Sequence, residues 1–501
     1  MNNILQKYKH LYIDIIHFFV NSIHFLTKMT NKARILEFLY KNPDSEYNIN
    51  QLSRLVGISV GSAFKILKEF EKNGYAGAKR KNNAFLYKIS ANEKTRKAFG
   101  AIENERNEKI RHRTKVMCTI GANSNNQSAI KKLMEGGMDA ARIDASKHNP
   151  NSVSGIIKAI REAADYIPIL IDIPGKDITS VKPWIKFAVK NDLDFVSVSY
   201  VSNSDEIEAV YRYLGYSSMK EVIGGKIKLF VKIEEHALRK YKEIIEDAYG
   251  VILDRNLLAT SKNYETLPQL QKSIIAECNR HGKPAIVGSQ LLESMNKNRF
   301  PSKAEVYDIA NAVLDKVSCL MLSDETEDGN YPAEAAGTLI KIIKNVEMGQ
   351  ALDGRNMEEN VIHPIGASIF EEDKPINIDA ILIITSGGYT ARVVSSKRPR
   401  CKIIAATSSK KIFMQLNVLW GVEPLFIKAN LEDISNEEKK EALLKALEKG
   451  FIKKTDQIAI MASVFHSKSK RANLLEVHKV NEFLDYLHNK NKIGKRVESY
   501  P

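Results

Sequence analysis

Lys232 and Glu234 are the residues in this chain whose spacing first suggests chemistry. They lie two apart in Leu229-Phe230-Val231-Lys232-Ile233-Glu234, an apolar run with the composition of a strand covered on both faces. Residues two apart in a strand share one face. An ammonium and a carboxylate on one wall of an apolar strand are costly to desolvate unless they meet each other, a metal or a charged ligand. A surface strand with a cross-strand ion pair would show the same residues, and this stretch by itself does not separate the two readings.

The elements around the pair are repetitive. Short apolar runs at Lys115 to Ile120, Ala140 to Ala145, Ile167 to Ile173, Phe195 to Tyr200, Leu229 to Ile233, Val251 to Asp254, Pro284 to Gly288 and Cys319 to Ser323 alternate with helical stretches. Eight such units predict a closed parallel (β/α)8 TIM barrel over residues 113–345, with its chemistry at the carboxyl ends of the strands. Polar residues gather at those ends: Asn123, Ser124, Asp144, Ser146, Asp172, Lys232, Glu234, Asp254, Ser289, Gln290, Asp324 and Glu325. Convergence from most of the strands favours a site for a charged small molecule.

Ahead of the barrel the pattern is helical. Ala33 to Tyr40 ends at Asn42-Pro43, Ile49 to Val56 ends at Gly57, and Val60 to Asn73 stops at Gly74. Two helices broken at a glycine and followed by a longer one form a helix-turn-helix. Ala78 to Lys88 then reads as a hairpin with a basic tip, so residues 29–90 resemble a winged-helix DNA-binding domain. They hold eleven Lys or Arg against five Asp or Glu, about +6 of the formal net charge of +15. On this reading Ser59, Ser62, Lys65 and Lys68 face the major groove while Lys79, Arg80 and Lys81 meet phosphates. Winged helices also dock proteins, but the basic charge favours DNA.

At 501 residues, 44% hydrophobic and 27% charged, the chain has the composition of a multidomain globular protein. Cys118, Cys278, Cys319 and Cys401 show neither paired nor metal-ligand spacing, which suits a reducing cytoplasm. The apolar run Leu11 to Leu26 is too short and too interrupted to span a bilayer and lacks a secretory cleavage site. Residues 1–28 are read as an extra helix or an over-extended start. A charged, proline-free linker helix is expected over 91–112, a helix-rich joint over 346–379, an α/β domain over 380–485 and a tail over 486–501.

Longer blocks resemble the pyruvate kinase family. Arg113 to Gly121 is similar to its opening barrel strand, Ala141 to His148 to its second, and Val231-Lys232-Ile233-Glu234 to its lysine-isoleucine-glutamate strand. Cys278 to Pro284, Ser289 to Met295, Ala310 to Asp315 and Met321 to Thr326 follow in the family's order, with the similarity running from about Arg113 to Val480. The resemblance implies that Lys232 contacts the transferring phosphoryl group and stabilises the enolate, that Glu234 binds a divalent cation such as Mg2+, and that Arg142 contacts substrate phosphate. It also implies monovalent-cation (K+) ligands at Ser146 and Asp172, and a proton-donor position at Ser289. The carboxyl-terminal domain resembles the family's own, in which the loop matching Thr385-Ser386-Gly387-Gly388-Tyr389-Thr390 holds an effector phosphate. The cations Lys397, Arg398 and Arg400 nearby favour that role. A homo-oligomer is also expected.

Several family features are missing. Leu257 stands where the second metal carboxylate is expected, leaving Asp254 or Asn256 to reach the ion. Asp144 replaces an asparagine at the monovalent site, and Ile173 a threonine. Lys147 and Lys176 bring new ammonium groups that stand in for K+. The arginine expected after Gly175-Lys176-Asp177 is absent, and so is the lid domain that interrupts the family's barrel after its third strand. Phosphoryl transfer depends on positioning and charge neutralisation in a site closed to water. Two functions therefore compete: a DNA-binding regulator whose barrel senses phosphoenolpyruvate or a related metabolite, and an active pyruvate kinase moving phosphoryl from phosphoenolpyruvate to ADP in glycolysis.

Overall fold

The strands predicted from apolar runs close on themselves. The structure, a computed structural model, describes residues 31–42, 45–81, 84–90, 92, 95, 112–175, 177–216, 226–258, 264–353, 378–429, 434–462 and 472–486. The amino-terminal extension, nearly all of the expected linker helix, most of the joint and all but the first residue of the tail lie outside them. The chain divides into two compact units, one containing residues 1–111 and 349–354 and the other the remainder.

In the smaller unit, helices α1 (Asn31–Lys41), α2 (Ile49–Val56) and α3 (Val60–Lys72) accompany strands β1 (Tyr47–Asn48), β2 (Ala76–Lys81) and β3 (Ala84–Ile89). The sheet is antiparallel in the order β1-β3-β2. Asn48 and Gln51 cap the start of α2 reciprocally, and Gly57 ends it at φ 67°, a left-handed conformation for which glycine carries no Cβ penalty. Buried Arg34 donates to the carbonyls of Val56 (2.6 Å) and Gly57, satisfying that helix end. Leu39, Leu52, Leu67, Phe70 and Tyr87 form the core. The two-residue β1 went unread in the sequence because it is too short to show alternation.

The barrel runs through β4 (Lys115–Thr119), β5 (Ala140–Asp144), β6 (Ile169–Ile173), β7 (Phe195–Val198), β8 (Lys228–Ile233), β9 (Gly250–Asp254), β10 (Ala285–Gly288) and β11 (Cys319–Leu322), all parallel and closed by pairing of β11 with β4. Outward-facing side chains such as Val116, Ile143 and Val231 pack on the surrounding helices. Inward, Met117, Ala140, Leu170, Phe195, Phe230, Ile252, Ile286 and Cys319 pack together as an apolar floor. The period of two then dictates the next layer. Two residues beyond these lie Thr119, Arg142, Asp172, Ser197, Lys232, Asp254, Gly288 and Met321, so an almost wholly polar tier sits on an apolar floor. After β6 only residues 174–177 precede the helix Ile178–Lys190, which Asp177 caps through the amides of Thr179 and Ser180.

The carboxyl-terminal domain holds β12 (Ala380–Ile384), β13 (Lys402–Thr407), β14 (Val422–Phe426), β15 (Gln457–Ala462) and β16 (Leu474–Lys479) in the order β14-β13-β12-β15-β16. Four strands are parallel and β16 pairs antiparallel with β15. Pro424 is tolerated because β14 is an edge strand. The edge strand β16 is half-exposed, and its Glu476, His478 and Lys479 break up the apolar pattern. Among the described residues no helix is long and apolar enough to cross a membrane.

Candidate active site

Asp172 is the centre of the polar tier. Its Oδ2 accepts from Arg142 Nε (3.0 Å) and Nη2 (2.5 Å) and lies 2.7 Å from Lys232 Nζ, while its Oδ1 accepts from Ser197 Oγ (2.8 Å). Register produces this convergence, since Asp144, Asp172 and Ser197 are direct partners across β5, β6 and β7. Arg142 also donates to Thr119 Oγ1 (3.0 Å), its neighbour across β4 and β5, and to Asp144 Oδ2 (2.9 Å). All three charged groups of the clasp are buried: Arg142 is 4% exposed, Asp172 2% and Lys232 8%. Burial opposes ionisation of Asp172, but Arg142 and Lys232 outweigh it and bring its pKa down to about 2. Burial likewise opposes the charge of Arg142, and Asp172 with Asp144 more than offsets it, leaving the guanidinium pKa raised. Asp172 and Arg142 therefore remain ionised throughout the neutral range.

Glu234 follows the last residue of β8 and is 6% exposed. Among the described residues its Oε1 is buried without a hydrogen-bond partner, and its Oε2 lies 3.6 Å from His236 Nδ1. A buried carboxylate oxygen without a donor suits a divalent cation such as Mg2+. Lys232 and Glu234 thus satisfy their charges differently, one through a carboxylate on β6 and the other with an oxygen left open. Asp254 Oδ1 accepts from Ser289 Oγ (2.7 Å). Ser289 and Gln290 both adopt left-handed backbone, at φ 66° and 54°. Arg255 holds that turn by donating to the carbonyls of Ser289 and Gln290, and is itself paired with Asp308. The side chains of Asn256 and Leu257 lie outside the described residues.

The substitution of Lys147 for a monovalent cation needs correction. Its ammonium bonds Asp324 Oδ1 (2.9 Å), Glu327 Oε2 (2.9 Å) and Asp328 Oδ2 (3.3 Å), carboxylates supplied by the short helix after β11 and its cap. Three acids there draw the lysine away from Asp144 and Ser146. Gly121 makes room for this network, because a Cβ at that position would come within 2.2 Å of Glu327 Cγ. Lys176 lies outside the described residues. Asp144 Oδ1 accepts from the amide and hydroxyl of Ser146 (2.9 and 2.6 Å). With Asp144 and Asp172 engaged by Arg142, Lys232, Ser146 and Ser197, a K+ at these oxygens displaces one of those partners.

Other polar strand ends are structural. Glu325 accepts from the amides of Leu292 and Ser323, and Asn123 donates to the carbonyls of Asp328 and Gly329. The sequence reading missed Thr119, Ser197, Arg255 and Glu327. The alternation that placed Lys232 inside the barrel also places Thr119 and Ser197 there, but both fall among apolar runs and carry no charge.

In the carboxyl-terminal domain Thr385 Oγ1 accepts from the amide of Gly388 (2.9 Å), and Gly388, at φ 76°, precedes the helix Tyr389–Ser396. Ser386 is exposed, while Gly387 and Thr390 are half-buried. Arg398 does not serve this loop. It is buried at the far end of the helix, where it donates to Ser395 O, Lys316 O, Asn279 Oδ1 and Ser318 Oγ and stacks on Trp420, fastening this domain to the barrel. Lys397 and Arg400 are exposed beyond the same end.

In the smaller unit Ser59 caps α3, accepting from the amide of Ser62 and donating to its hydroxyl. Lys68 pairs with Glu71 (2.8 Å) and lies 5.1 Å from the Phe85 ring centre. Lys65, Lys79 and Arg80 are exposed, and the side chain of Lys81 lies outside the described residues. Val60 and Phe64 on α3 are each 49% exposed.

Residues 176–336 match the family described as pyruvate kinase, barrel domain, and residues 363–478 match pyruvate kinase, alpha/beta domain; together they make up more than half of the chain. A pyruvate kinase of Lactobacillus delbrueckii subsp. bulgaricus is 33% identical over 304 residues, 58% of this chain and 50% of that protein. A pyruvate kinase of Staphylococcus epidermidis is 32% identical over 324 residues, covering 63% and 53%, and one of Staphylococcus aureus is 32% identical over 307, covering 60% and 51%. The chain thus spans about half the length of these relatives. Through its closed eight-stranded barrel and its separate α/β domain, it belongs to the pyruvate kinase family.

Proposed function

We propose that this chain is a DNA-binding regulator whose barrel binds phosphoenolpyruvate or a related phosphorylated carboxylate without turning it over efficiently. The observation that carries the reading is the four-residue passage from β6 to the next helix. It leaves no lid where the family resemblance calls for one, so the site has no domain of its own to exclude water during transfer. Arg142 and Lys232 supply the anion-binding charge, and Asp172 neutralises it until a ligand arrives. Glu234, with Asp254 nearby, would hold Mg2+, which supplies charge neutralisation for a bound phosphate.

The smaller unit carries the DNA side of the proposal. As a winged helix-turn-helix it would place α3 in the major groove, with Lys65 among base edges or phosphates and exposed Val60 and Phe64 against thymine methyl groups. Ser59 and Ser62 shape the start of that helix, Lys68 braces the hairpin through Phe85, and Lys79, Arg80 and Lys81 meet phosphates. The loop Thr385 to Thr390 is a second, effector-phosphate position.

One observation favours the alternative, an active pyruvate kinase: Lys232, Arg142 and the open oxygen of Glu234 all persist. An assay of the full chain with phosphoenolpyruvate, ADP, Mg2+ and K+ separates the two. The regulator reading expects turnover far below the roughly 1 to 1,000 per second typical of enzymes. Turnover within that range, abolished by Lys232→Ala, would establish the kinase instead.

A further inference from the structure

Tyr200 stands two residues beyond the end of β7, at φ 60°. The apolar run had suggested that the strand continues to this residue, but the chain turns here into the left-handed region. A bulky side chain there costs on the order of one RT or more, and such outliers concentrate where function holds them. Core packing does not account for it, because Tyr200 is 47% exposed. Its ring instead lies nearly parallel to the imidazole of His236, with centres 6.0 Å apart and planes 13° apart. His236 is in turn 3.6 Å from Glu234. The strained turn after β7 thus presents a half-exposed aromatic ring at the rim, stacked on His236, which reaches Glu234 just past the end of β8, the strand that carries Lys232.

We infer that Tyr200, backed by His236, is a stacking platform, and that the barrel's ligand carries a planar π-bearing group beside its anionic one. The inference rests on the proposed binding of a phosphorylated ligand at this mouth. Aromatic faces prefer offset stacking, and His236 already fixes the Tyr200 ring so that little freedom is lost when a second ring settles on its open side. A compact anion with no planar group would leave that face wet and the strained turn without purpose.

Calorimetry on the full chain with phenyl phosphate and methyl phosphate tests this. Both offer the same phosphate monoester, and only one adds a ring. Phenyl phosphate should bind about 3- to 10-fold more tightly. Tyr200→Gly should erase the difference, since glycine adopts the same backbone without strain, and Tyr200→Phe should preserve it. Equal affinities in the unaltered chain, or a preference that survives Tyr200→Gly, would overturn the platform while leaving the phosphate site standing. Failure of both esters to bind would overturn the platform together with the phosphorylated-ligand reading.

Discussion

The barrel mouth and the three-helix unit both carry positive charge and hold it in opposite ways. In the barrel, Arg142 and Lys232 are buried against Asp172, and the backbone register of three strands fixes the group. On the smaller unit Lys65, Lys79 and Arg80 stand in solvent. Buried, neutralised charge can answer only a ligand small enough to enter and strong enough to compete with Asp172. Exposed charge on long side chains suits an extended polyanion, and its attraction is screened by salt. On the proposed reading the two surfaces would take different partners although their residue types are the same.

The sharpest way to break this contrast is Asp172→Asn. Removing the shared carboxylate leaves two buried cations facing each other, which should destabilise the barrel by about 3 to 5 kcal/mol in urea denaturation. A loss below about 1 kcal/mol would mean that the clasp is not the buried network described. Acid should act through the same group. Its folded pKa of about 2 lies below the ordinary value near 3.9, so its stabilisation is complete above about pH 4 and is lost as pH falls toward 2. That loss, on the order of 2 kcal/mol, should be missing from the stability profile of Asp172→Asn.

On the exposed side, replacing Lys79, Arg80 and Lys81 together by Ala should weaken binding to random-sequence duplex DNA roughly tenfold. It should also lower the salt slope by about 1 per lost phosphate contact. An unchanged slope would place the nucleic-acid surface elsewhere or remove it altogether. The smallest effect is expected at Lys147→Met. This lysine is 41% exposed and two of its three carboxylate partners are exposed by half or more, so those pairs are screened; the buried Glu327, 2% exposed, should carry the effect, about 1 kcal/mol.

How much of this was legible follows from period and burial. The eight barrel strands were readable because both faces are apolar over several residues, and every one was found within two residues of its observed ends. The same runs put Asp172 and Lys232 at the strand ends, whereas Arg142 entered only through the family resemblance. What the sequence could not convey was their mutual pairing: whether Lys232 meets Glu234 or Asp172 depends on strand tilt and register, which no local pattern records. Lys147 was misread for a related reason. It is adjacent in sequence to Ser146, whereas its partners Asp324, Glu327 and Asp328 come from the segment after β11, far along the chain. Arg398 looked like a phosphate ligand by proximity in sequence, but the eight-residue helix between it and the glycine loop carries it to the opposite end.

A regulator of the proposed kind must couple ligand binding in the barrel to DNA binding by the smaller unit. Coupling between distinct sites is reciprocal and typically worth about 1 to 3 kcal/mol. Titration of the full chain with phosphoenolpyruvate by calorimetry, with and without saturating duplex DNA, measures it directly. A sensor predicts a roughly 5- to 150-fold shift in ligand affinity, matched by an equal shift in DNA affinity when the ligand is present. Phosphoenolpyruvate that binds with the same affinity in both titrations would contradict it, leaving two independent units on one chain.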